Sequence, residues 1–342
     1  GYTVEGFKEK DDRVEVLLKD NPSLQADMVV LAIGVTPDTV LAKEAGLELG
    51  IKESIVVNDR METSVPDIYA AGDAVQVKHY VTGNDALISL AGPANKQGRI
   101  IADNICGGDS RYLGSQGSSV IKVFDMTAAT TGINETNAKK SGLEVDTVIL
   151  SPMSHAGYYP GGKVMTMKVV FEKESYRLLG AQIIGYEGVD KRIDVLATAI
   201  HAGLKATQLK DLDLAYAPPY SSAKDPVNMA GFMIDNIAKG TLKQWHLEDM
   251  DKISRDKSVV LLDVRTVGEF NRGHMDGFKN IPVDELRERI NEIEKGKPVY
   301  LICQSGLRSY IASRILEGNG YETYNFSGGF RFYDVVVNDR VL

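Results

Sequence analysis

Cys303 lies where the sequence predicts the end of a strand and the start of a helix. It closes the apolar run PVYLIC and begins the loop CQSGLR. Free backbone N–H groups and the helix dipole favour a thiolate at such a position, and the thiolate is the reactive form of cysteine. Gly306 gives the loop conformational freedom, and Arg308 can add a positive charge that faces the site. We expect Cys303 to be a nucleophile, although a lone thiol is more often a buried structural residue. The loop residues expected to bind its substrate are Gln304, Ser305, Gly306 and Leu307.

The run TSVPDIYAAGDA is a second candidate site. A predicted strand delivers Gly72 and Asp73 at its end, where the glycine permits close approach of a ligand and the carboxylate can bind a sugar or ribityl hydroxyl. A Gly-Asp pair alone would be an ordinary turn, but the flanking runs LAIGVTPDT and LAGPANKQGRIIADNI argue against that.

Gly34 follows the apolar run from Met28 to Ile33, which predicts a parallel strand covered on both faces. Ligands of such sheets bind at the carboxyl ends of strands.

Composition limits the possible classes of function. The 342 residues carry a net charge of -8 and no long basic run, which argues against nucleic acid or an anionic membrane as partner. No apolar stretch has the length of a membrane span. With only two cysteines, far apart, a disulfide-stapled secreted fold is not expected, and we predict a cytoplasmic protein. No pattern of metal ligands is found. The chain starts at Gly1 without a signal-peptide pattern, and we expect it to be the back portion of a larger protein.

The predicted elements divide the chain into four parts, giving a multidomain fold of α/β and α+β type. Residues 1–37 carry strands and no long helix, and residues 38–117 end in a helix and a Gly/Ser-rich linker. Residues 118–240 contain an amphipathic helix after Asp190, as in an α+β domain, and four predicted strands, near Val120 to Phe124, Val145 to Leu150, Val164 to Phe171 and Leu178 to Gly185. In residues 241–342 the strands SVVLLDV, PVYLIC and YETYNF alternate with the predicted helices DELRERINEIE and SYIASRILEG. That alternation predicts a small parallel α/β domain.

Residues 241–342 resemble the rhodanese family. LLDVRTVGEFNRGHMDGFKNIP matches its early signature and CQSGLRS its active loop. The resemblance implies that Cys303 accepts a sulfane sulfur as a persulfide and passes it to a thiol. It also matches Asp263, Arg265, Glu269 and His274 to signature positions, for which we expect structural roles; the first two should tie strand to loop. The six residues from Cys303 to Arg308 favour sulfur transfer over the phosphate chemistry of related folds with a longer loop.

Residues 1–240 resemble the FAD-dependent pyridine nucleotide-disulfide reductases, on the evidence of TSVPDIYAAGDA and its flanking runs. The resemblance implies partial FAD- and NAD(P)-binding Rossmann-like domains. Residues 1–37 would end the NAD(P)-binding domain, and residues 38–117 would form the C-terminal part of the FAD-binding domain. Gly34 would lie near the nicotinamide nucleotide, and the segment from Ser64 to Ala74 would lie along FAD. The residues of this segment expected to contact FAD are Ser64, Gly72, Asp73 and Ala74. The family's interface domain matches residues 118–240 and implies a homodimer.

Within that family the chain is most similar to coenzyme A-disulfide reductases fused to rhodanese, on the runs HAGYYPGG and AYAPPYSSAKDPVNMAG. The resemblance implies that Tyr158 and Tyr216 reach the partner subunit's active site and hydrogen-bond a thiol or thiolate leaving group, and that Tyr216 approaches FAD. Asn95 and Lys224 would contact coenzyme A, whose phosphates suit an ammonium group. The alternative for the tyrosines is interface packing. The alternative for Lys224 is a surface ion pair with Asp225.

The sequence also departs from the reductase family. It has no G-x-G-x-x-G after a strand and no flavin-facing redox cysteine, and Cys106, after a helix, is expected to be structural. We therefore assign the reduction of coenzyme A disulfide, persulfide or polysulfide by NAD(P)H and FAD to the parent protein. Coenzyme A would act as substrate or carrier, coupled to sulfane-sulfur transfer through Cys303. The alternatives are an NADH oxidase that reduces oxygen and a non-catalytic sulfur carrier.

Overall fold

The computed structural model describes residues 1–338, so the last four residues of the predicted C-terminal domain lie outside the described part. Four sheets follow one another along the chain, made by residues 4–26, 55–86, 119–185 and 244–326. The domain boundaries at 37, 117 and 240 stay predictions. No helix in the described residues is long and apolar enough to cross a membrane.

The first sheet is an antiparallel meander of three strands, β1 (Val4–Lys10), β2 (Arg13–Leu18) and β3 (Asn21–Ala26). Asp11 and Asp12 connect β1 to β2 with φ of 50° and 62°, the left-handed pair that a tight hairpin turn requires. The prediction that residues 1–37 carry strands and no long helix is therefore confirmed for residues 4–26.

The predicted buried strand from Met28 to Ile33 is wrong for this structure. The segment forms neither strand nor helix, and Met28 and Ile33 are 78% and 89% exposed. A parallel strand needs paired neighbours and cover on both faces. Within residues 1–338 no strand pairs with this segment. Gly34 has φ of 83°, as a turn would require, but it lies in an exposed segment and does not follow a strand.

The next part of the chain has little regular structure before its long helix. The predicted strand DIYAAGD is also wrong, because Tyr69 forms only an isolated bridge with Glu62, and Gly72–Ala74 is a single 3₁₀ turn that precedes a strand. The run ESIVVN contains a strand of only two residues. The elements are α1 (Val40–Glu44), β4 (Ile55–Val56), β5 (Val75–Lys78), β6 (Asp85–Ala86) and α2 (Ala91–Ile105).

The third part is an α+β domain, as predicted. Its five-stranded antiparallel sheet has the order β7-β8-β11-β10-β9, and the helices α4 and α5 contribute to the large core that covers it. On α4 the residues Ile193, Leu196 and Ile200 are buried, as their helical spacing predicts. The elements are β7 (Ser119–Val123), β8 (Met126–Gly132), α3 (Glu135–Lys140), β9 (Val145–Leu150), β10 (Met165–Glu172), β11 (Leu178–Gly185), α4 (Val189–His201) and α5 (Pro226–Ala238).

The last part is a parallel α/β domain, as predicted, with strand order β12-β16-β15-β13-β14 and a hydrophobic cluster on each side of the sheet. The predicted helix DELRERINEIE is wrong. That segment forms turns and a short 3₁₀ helix, and the Tyr321 hydroxyl lies within 3.2 Å of the Ile290 and Ile293 carbonyls. The elements are β12 (Gln244–Trp245), α6 (Met250–Ile253), β13 (Val260–Asp263), α7 (Val267–Arg272), β14 (Lys279–Asn280), β15 (Val299–Ile302), α8 (Leu307–Glu317), β16 (Thr323–Phe326) and α9 (Gly329–Tyr333).

The last two parts meet along β9, which is an edge strand of its sheet. The Gln244 side-chain amide donates to the carbonyl of Thr147 at 3.2 Å, and the Ile149 N–H donates to the hydroxyl of Ser327 at 3.1 Å. His246 Nε2 lies 3.1 Å from Asp146 Oδ1 in the same interface. Side chains of the α/β domain thus satisfy backbone groups at the edge of the α+β sheet.

Candidate active site

The sulfur of Cys303 lies at the N-terminus of α8 and faces two hydrogen-bond donors. The Gly306 N–H is 3.1 Å from Sγ, and the Ser309 hydroxyl is 3.2 Å from it. Gly306 precedes α8 with φ of 100°, a conformation that glycine adopts without strain. Two donors and a helix N-terminus aimed at one sulfur stabilise a thiolate. The Cys303 side chain is 1% exposed.

The backbone of the Cys303 loop is bound on its far side by residues that sequence analysis missed. Asn325, at the end of β16, donates from Nδ2 to the Gly306 carbonyl at 3.1 Å. The Phe330 N–H donates to the Cys303 carbonyl at 2.8 Å, and the Arg331 N–H donates to the Gln304 carbonyl at 3.1 Å. The loop is therefore held by two elements that follow it in the chain.

Arg308 lies beside the loop but is paired with Glu269. Its two terminal nitrogens each lie 2.7 Å from one of the Glu269 carboxylate oxygens, a bidentate geometry. The Arg308 guanidinium lowers the pKa of Glu269 to about 2. The same hydrogen bond is the main cause of the raised pKa of Arg308, to which the charge of Cys303 also contributes. The positive charge of Arg308 is therefore paired with Glu269. It also interacts electrostatically with Cys303.

Asp263 and Arg265 tie the end of β13 to the Cys303 loop, as predicted. Both are buried, Arg265 Nη2 lies 2.7 Å from Asp263 Oδ2, and Arg265 Nη1 lies 3.4 Å from the side-chain oxygen of Gln304. The guanidinium also stacks on the ring of Phe330, 3.8 Å from its centroid. His274 stacks on Phe270 and contacts no loop residue through a hydrogen bond. The remaining loop residues Ser305 and Leu307 are half-buried and exposed, respectively.

Tyr158 and Tyr216 are brought together by the structure. Their hydroxyl oxygens are 2.6 Å apart, and both side chains are exposed. The hydrogen bond between the two hydroxyls is the first cause of the raised pKa of Tyr216. Tyr216 also lines a cavity of about 460 Å³ with His155 and Lys191. The Tyr216 hydroxyl at this cavity, and the Tyr158 hydroxyl bound to it, are groups that can donate hydrogen bonds to a bound thiolate.

A buried ion pair fixes the two segments that carry these tyrosines. Arg192 on α4 lies 3.0 Å from Asp225 and donates to the Ser154 carbonyl at 2.8 Å. Ser221 donates to the same Asp225 oxygen at 2.6 Å, and Asp225 caps α5. Asp225 therefore pairs with Arg192, and the alternative of a Lys224–Asp225 surface pair is wrong. Lys224 is exposed, with Nζ 5.9 Å from the ring of Phe232. Arg192 was missed, although a charged residue in register with buried Leu196 was a visible signal.

The candidate FAD-binding residues lie around the first turns of α2. The Gly72 N–H donates to buried Gln97 at 2.7 Å, and a Cβ at Gly72 would meet only Ala94, at 3.9 Å. Asp73 is exposed, and no hydrogen bond to its carboxylate exists in residues 1–338. An open glycine backbone beside a free carboxylate fits the edge of a nucleotide cofactor.

The other residues assigned to this region are less closely grouped. Ala74 is half-buried behind Asp73, and Ser64 is exposed, where its hydroxyl accepts from the Glu48 N–H at 2.8 Å. Asn95 projects from α2 and donates back to the Ala91 carbonyl at 3.0 Å. Gly34 lies in the exposed segment after β3, with no atom near the position of a Cβ. In the described residues no group of His, Cys, Asp and Glu side chains could hold a metal ion.

Three family models match the chain. Pyridine nucleotide-disulphide oxidoreductase matches residues 1–98, the dimerisation domain of the same oxidoreductases matches 118–226, and the rhodanese-like domain matches 246–333. The first two together cover more than half of the chain. The predicted order of reductase, dimerisation and rhodanese-like parts is confirmed.

Individual proteins are similar over different shares of the chain. The NAD(P)H sulfur oxidoreductase (CoA-dependent) of Pyrococcus abyssi is 38% identical over 219 residues, 64% of this chain and 49% of that protein. This chain thus spans about half the length of the curated relatives it matches. The reduced CoADR-RHD of Bacillus anthracis is 47% identical with a TM-score of 0.91, covering 96% of this chain and 59% of that one. The NAD-dependent persulfide reductase of A. fulgidus is 41% identical with a TM-score of 0.88, covering 97% and 61%.

Proposed function

Because the chain belongs to the pyridine nucleotide-disulphide oxidoreductases and ends in a rhodanese-like domain, we propose a coupled activity for the protein. NAD(P)H and FAD would reduce a coenzyme A disulfide, persulfide or polysulfide, and the rhodanese-like domain would transfer sulfane sulfur through a persulfide on Cys303. The names of the similar proteins, which refer to sulfur, coenzyme A and persulfide, support this substrate class. The observation that carries the proposal is the pair of donors aimed at Cys303 Sγ.

The proposed sulfur transfer has two displacement steps. The Cys303 thiolate attacks the outer sulfur of a donor such as thiosulfate, the S–S bond of the donor breaks, and sulfite leaves with the bonding electrons. An acceptor thiolate then attacks the sulfane sulfur of the persulfide, and the Cys303 thiolate is released. The Gly306 N–H and the Ser309 hydroxyl stabilise Sγ whenever it is anionic. The binding of the sulfane sulfur by the N–H groups of Gln304, Ser305, Gly306 and Leu307 is part of the proposal.

The reductive half of the proposal depends on a cofactor. The chemistry that bound FAD would supply is two-electron transfer between NAD(P)H and the disulfide or persulfide. The residues proposed to hold it are Ser64, Gly72, Asp73 and Ala74, with Gly34 near the nicotinamide nucleotide. Tyr216 and Tyr158 would donate hydrogen bonds to the leaving thiolate, because their hydroxyls lie together and Tyr216 lines a cavity. Asn95 and Lys224 would bind coenzyme A.

The assembly and its location are also proposals. The dimerisation-domain match supports a homodimer through residues 118–240. Exposed apolar residues on one edge of that sheet, Val120, Ile121 and Phe124, are available for such a contact. A cytoplasmic location is supported by two cysteines that are both free.

The test of sulfur transfer uses both cysteines of the chain. Cys303→Ser should abolish transfer from thiosulfate to cyanide and the gain of one sulfur atom seen by mass spectrometry, because no nucleophile remains. Cys106→Ser is the matched control, since Cys106 is exposed and lies outside the site, and it should behave as wild type. Transfer that survives in Cys303→Ser would overturn the assignment. Persulfide formation without turnover would favour a sulfur carrier.

A second experiment tests the coupling in the FAD-loaded protein. Cys303→Ser should leave NAD(P)H-driven reduction of free coenzyme A disulfide nearly intact. It should sharply reduce NAD(P)H consumption supported by a sulfane donor that only the rhodanese-like domain uses. Tyr158→Phe with Tyr216→Phe should reduce both rates, because these hydroxyls act downstream. Equal NAD(P)H consumption by Cys303→Ser and wild type with every sulfane donor would show fused but uncoupled domains.

A further inference from the structure

Ser327, which contacts β9, directly precedes in the chain the residues that pack on the Cys303 loop. Ser327 is 2% exposed and follows β16 directly. Its hydroxyl accepts from the Ile149 N–H of β9, and its own N–H donates to the Trp245 carbonyl at 3.0 Å. Ser327 is therefore fixed both to the α+β sheet and to the edge strand of its own domain.

Two glycines continue from Ser327 to the Cys303 loop. Gly328 and Gly329 have φ of 101° and 69°. A Cβ at Gly329 would lie 2.7 Å from the Ser305 nitrogen and 2.8 Å from the Gln304 carbonyl carbon. The backbone of this turn thus packs directly on the loop, at a distance that only glycine allows.

The residues after the glycines bind the loop through hydrogen bonds. Phe330 donates to the Cys303 carbonyl and Arg331 to the Gln304 carbonyl. Ser327 is three residues from Phe330, so the interdomain contact and the loop are joined by one short and tightly packed segment. A displacement of Ser327 must move either the turn or the loop, because a closely packed interior leaves no free space between them.

We propose that docking of the rhodanese-like domain on β9, through Ser327, sets the position of the Cys303 loop, and that Ser327 is a positioning residue for sulfur transfer. The inference rests on the proposed function and deepens it. Contact with the dimerisation domain keeps the Gly306 N–H and the Ser309 hydroxyl aimed at Sγ. Sulfur transfer is then most efficient when the two domains are docked.

The test measures the Cys303 thiol itself as well as turnover. In a Cys106→Ser background, Cys303 is the remaining thiol of the chain, and its alkylation by iodoacetamide can be followed against pH. Ser327→Ala should move the midpoint of that profile to higher pH and lower sulfur transfer by roughly 10-fold, since small misplacements far from the chemistry cost up to about 100-fold. Gln244→Ala, which removes the side-chain bond to the Thr147 carbonyl of β9, should shift the profile in the same direction.

Ser313→Ala is the matched control, because Ser313 is equally buried and donates to Tyr310 within α8, away from β9. Its alkylation profile should equal that of the parent. Ser327→Ala and Gln244→Ala profiles that both equal the Ser313→Ala profile would overturn the proposal. If Ser327→Ala does not fold, the Gln244→Ala profile decides alone. A shift to higher pH supports the proposal, and a profile equal to that of Ser313→Ala overturns it. Absence of sulfur transfer in the parent would refute the proposed function, while the alkylation profiles would still decide the role of Ser327.

Discussion

The C-terminal domain and the first 117 residues differ in how tightly the residues around each candidate site are packed. In the C-terminal domain Leu262, Leu301 and Ala312 are fully buried, and every group that faces Cys303 comes from the same domain. In residues 1–117 the buried apolar cluster has three members, and Ile33 is 89% exposed. The site at Cys303 is held in place because helices and strands of its own domain pack against it. The contrast predicts different sensitivities to the same substitutions in the two regions.

The largest contrast is expected for arginines in ion pairs. Arg265→Met should destabilise the C-terminal domain by about 3–5 kcal/mol, because it leaves the buried Asp263 carboxylate without its partner. Arg13→Met breaks the exposed Arg13–Asp27 pair and should cause no measurable change. Urea unfolding followed by the fluorescence of Trp245 in the C-terminal domain, and by circular dichroism for the chain, measures both. Similar losses for the two variants would contradict the contrast.

A smaller contrast is expected for apolar residues. Leu301→Ala should cost about 2–5 kcal/mol in unfolding free energy, since it opens a cavity in a closed core. Ile33→Ala, at a position that packs on little, should stay within about 0.5 kcal/mol of the parent. Thermal denaturation of the two variants is the measurement. A large loss for Ile33→Ala would mean that its segment is packed in solution.

The smallest contrast concerns pH. The pKa of Glu269 is lowered to about 2 in the fold, so its ion pair stabilises the protein above the ordinary pKa of about 4.5 and is lost as pH falls towards 2. The destabilisation caused by Glu269→Gln should therefore be full above pH 5 and vanish near pH 2. Glu62→Gln, at a carboxylate bound by Asn58 and Arg60 that is more exposed than Glu269 (36% against 21%), should give a weaker effect that added salt removes. A Glu269→Gln effect independent of pH would contradict the assignment.

The sequence predicted those features that depend on local pattern. The Cys303 loop was predicted because strand end, glycine and helix start are consecutive, and the four strands predicted in the third domain correspond to β7, β9, β10 and β11. The pairing of Arg308 with Glu269 joins residues 39 apart in sequence, and no local pattern indicates it. The segment from Met28 to Ile33 has the composition of a buried strand, but its conformation depends on neighbouring strands. The Gly328–Gly329 pair was visible in the sequence, whereas its contact with the loop depends on tertiary packing.

The side chains that bind β9 have a consequence for solubility. An uncovered edge strand presents free N–H and C=O groups on which a strand of another molecule can pair, and sheet proteins commonly aggregate through such edges. Here Gln244 and Ser327 occupy the Thr147 carbonyl and the Ile149 N–H. The C-terminal domain therefore also serves as an edge cover. A polypeptide that stops after α5 would expose a strand rich in Val, Ile and Leu and is expected to self-associate.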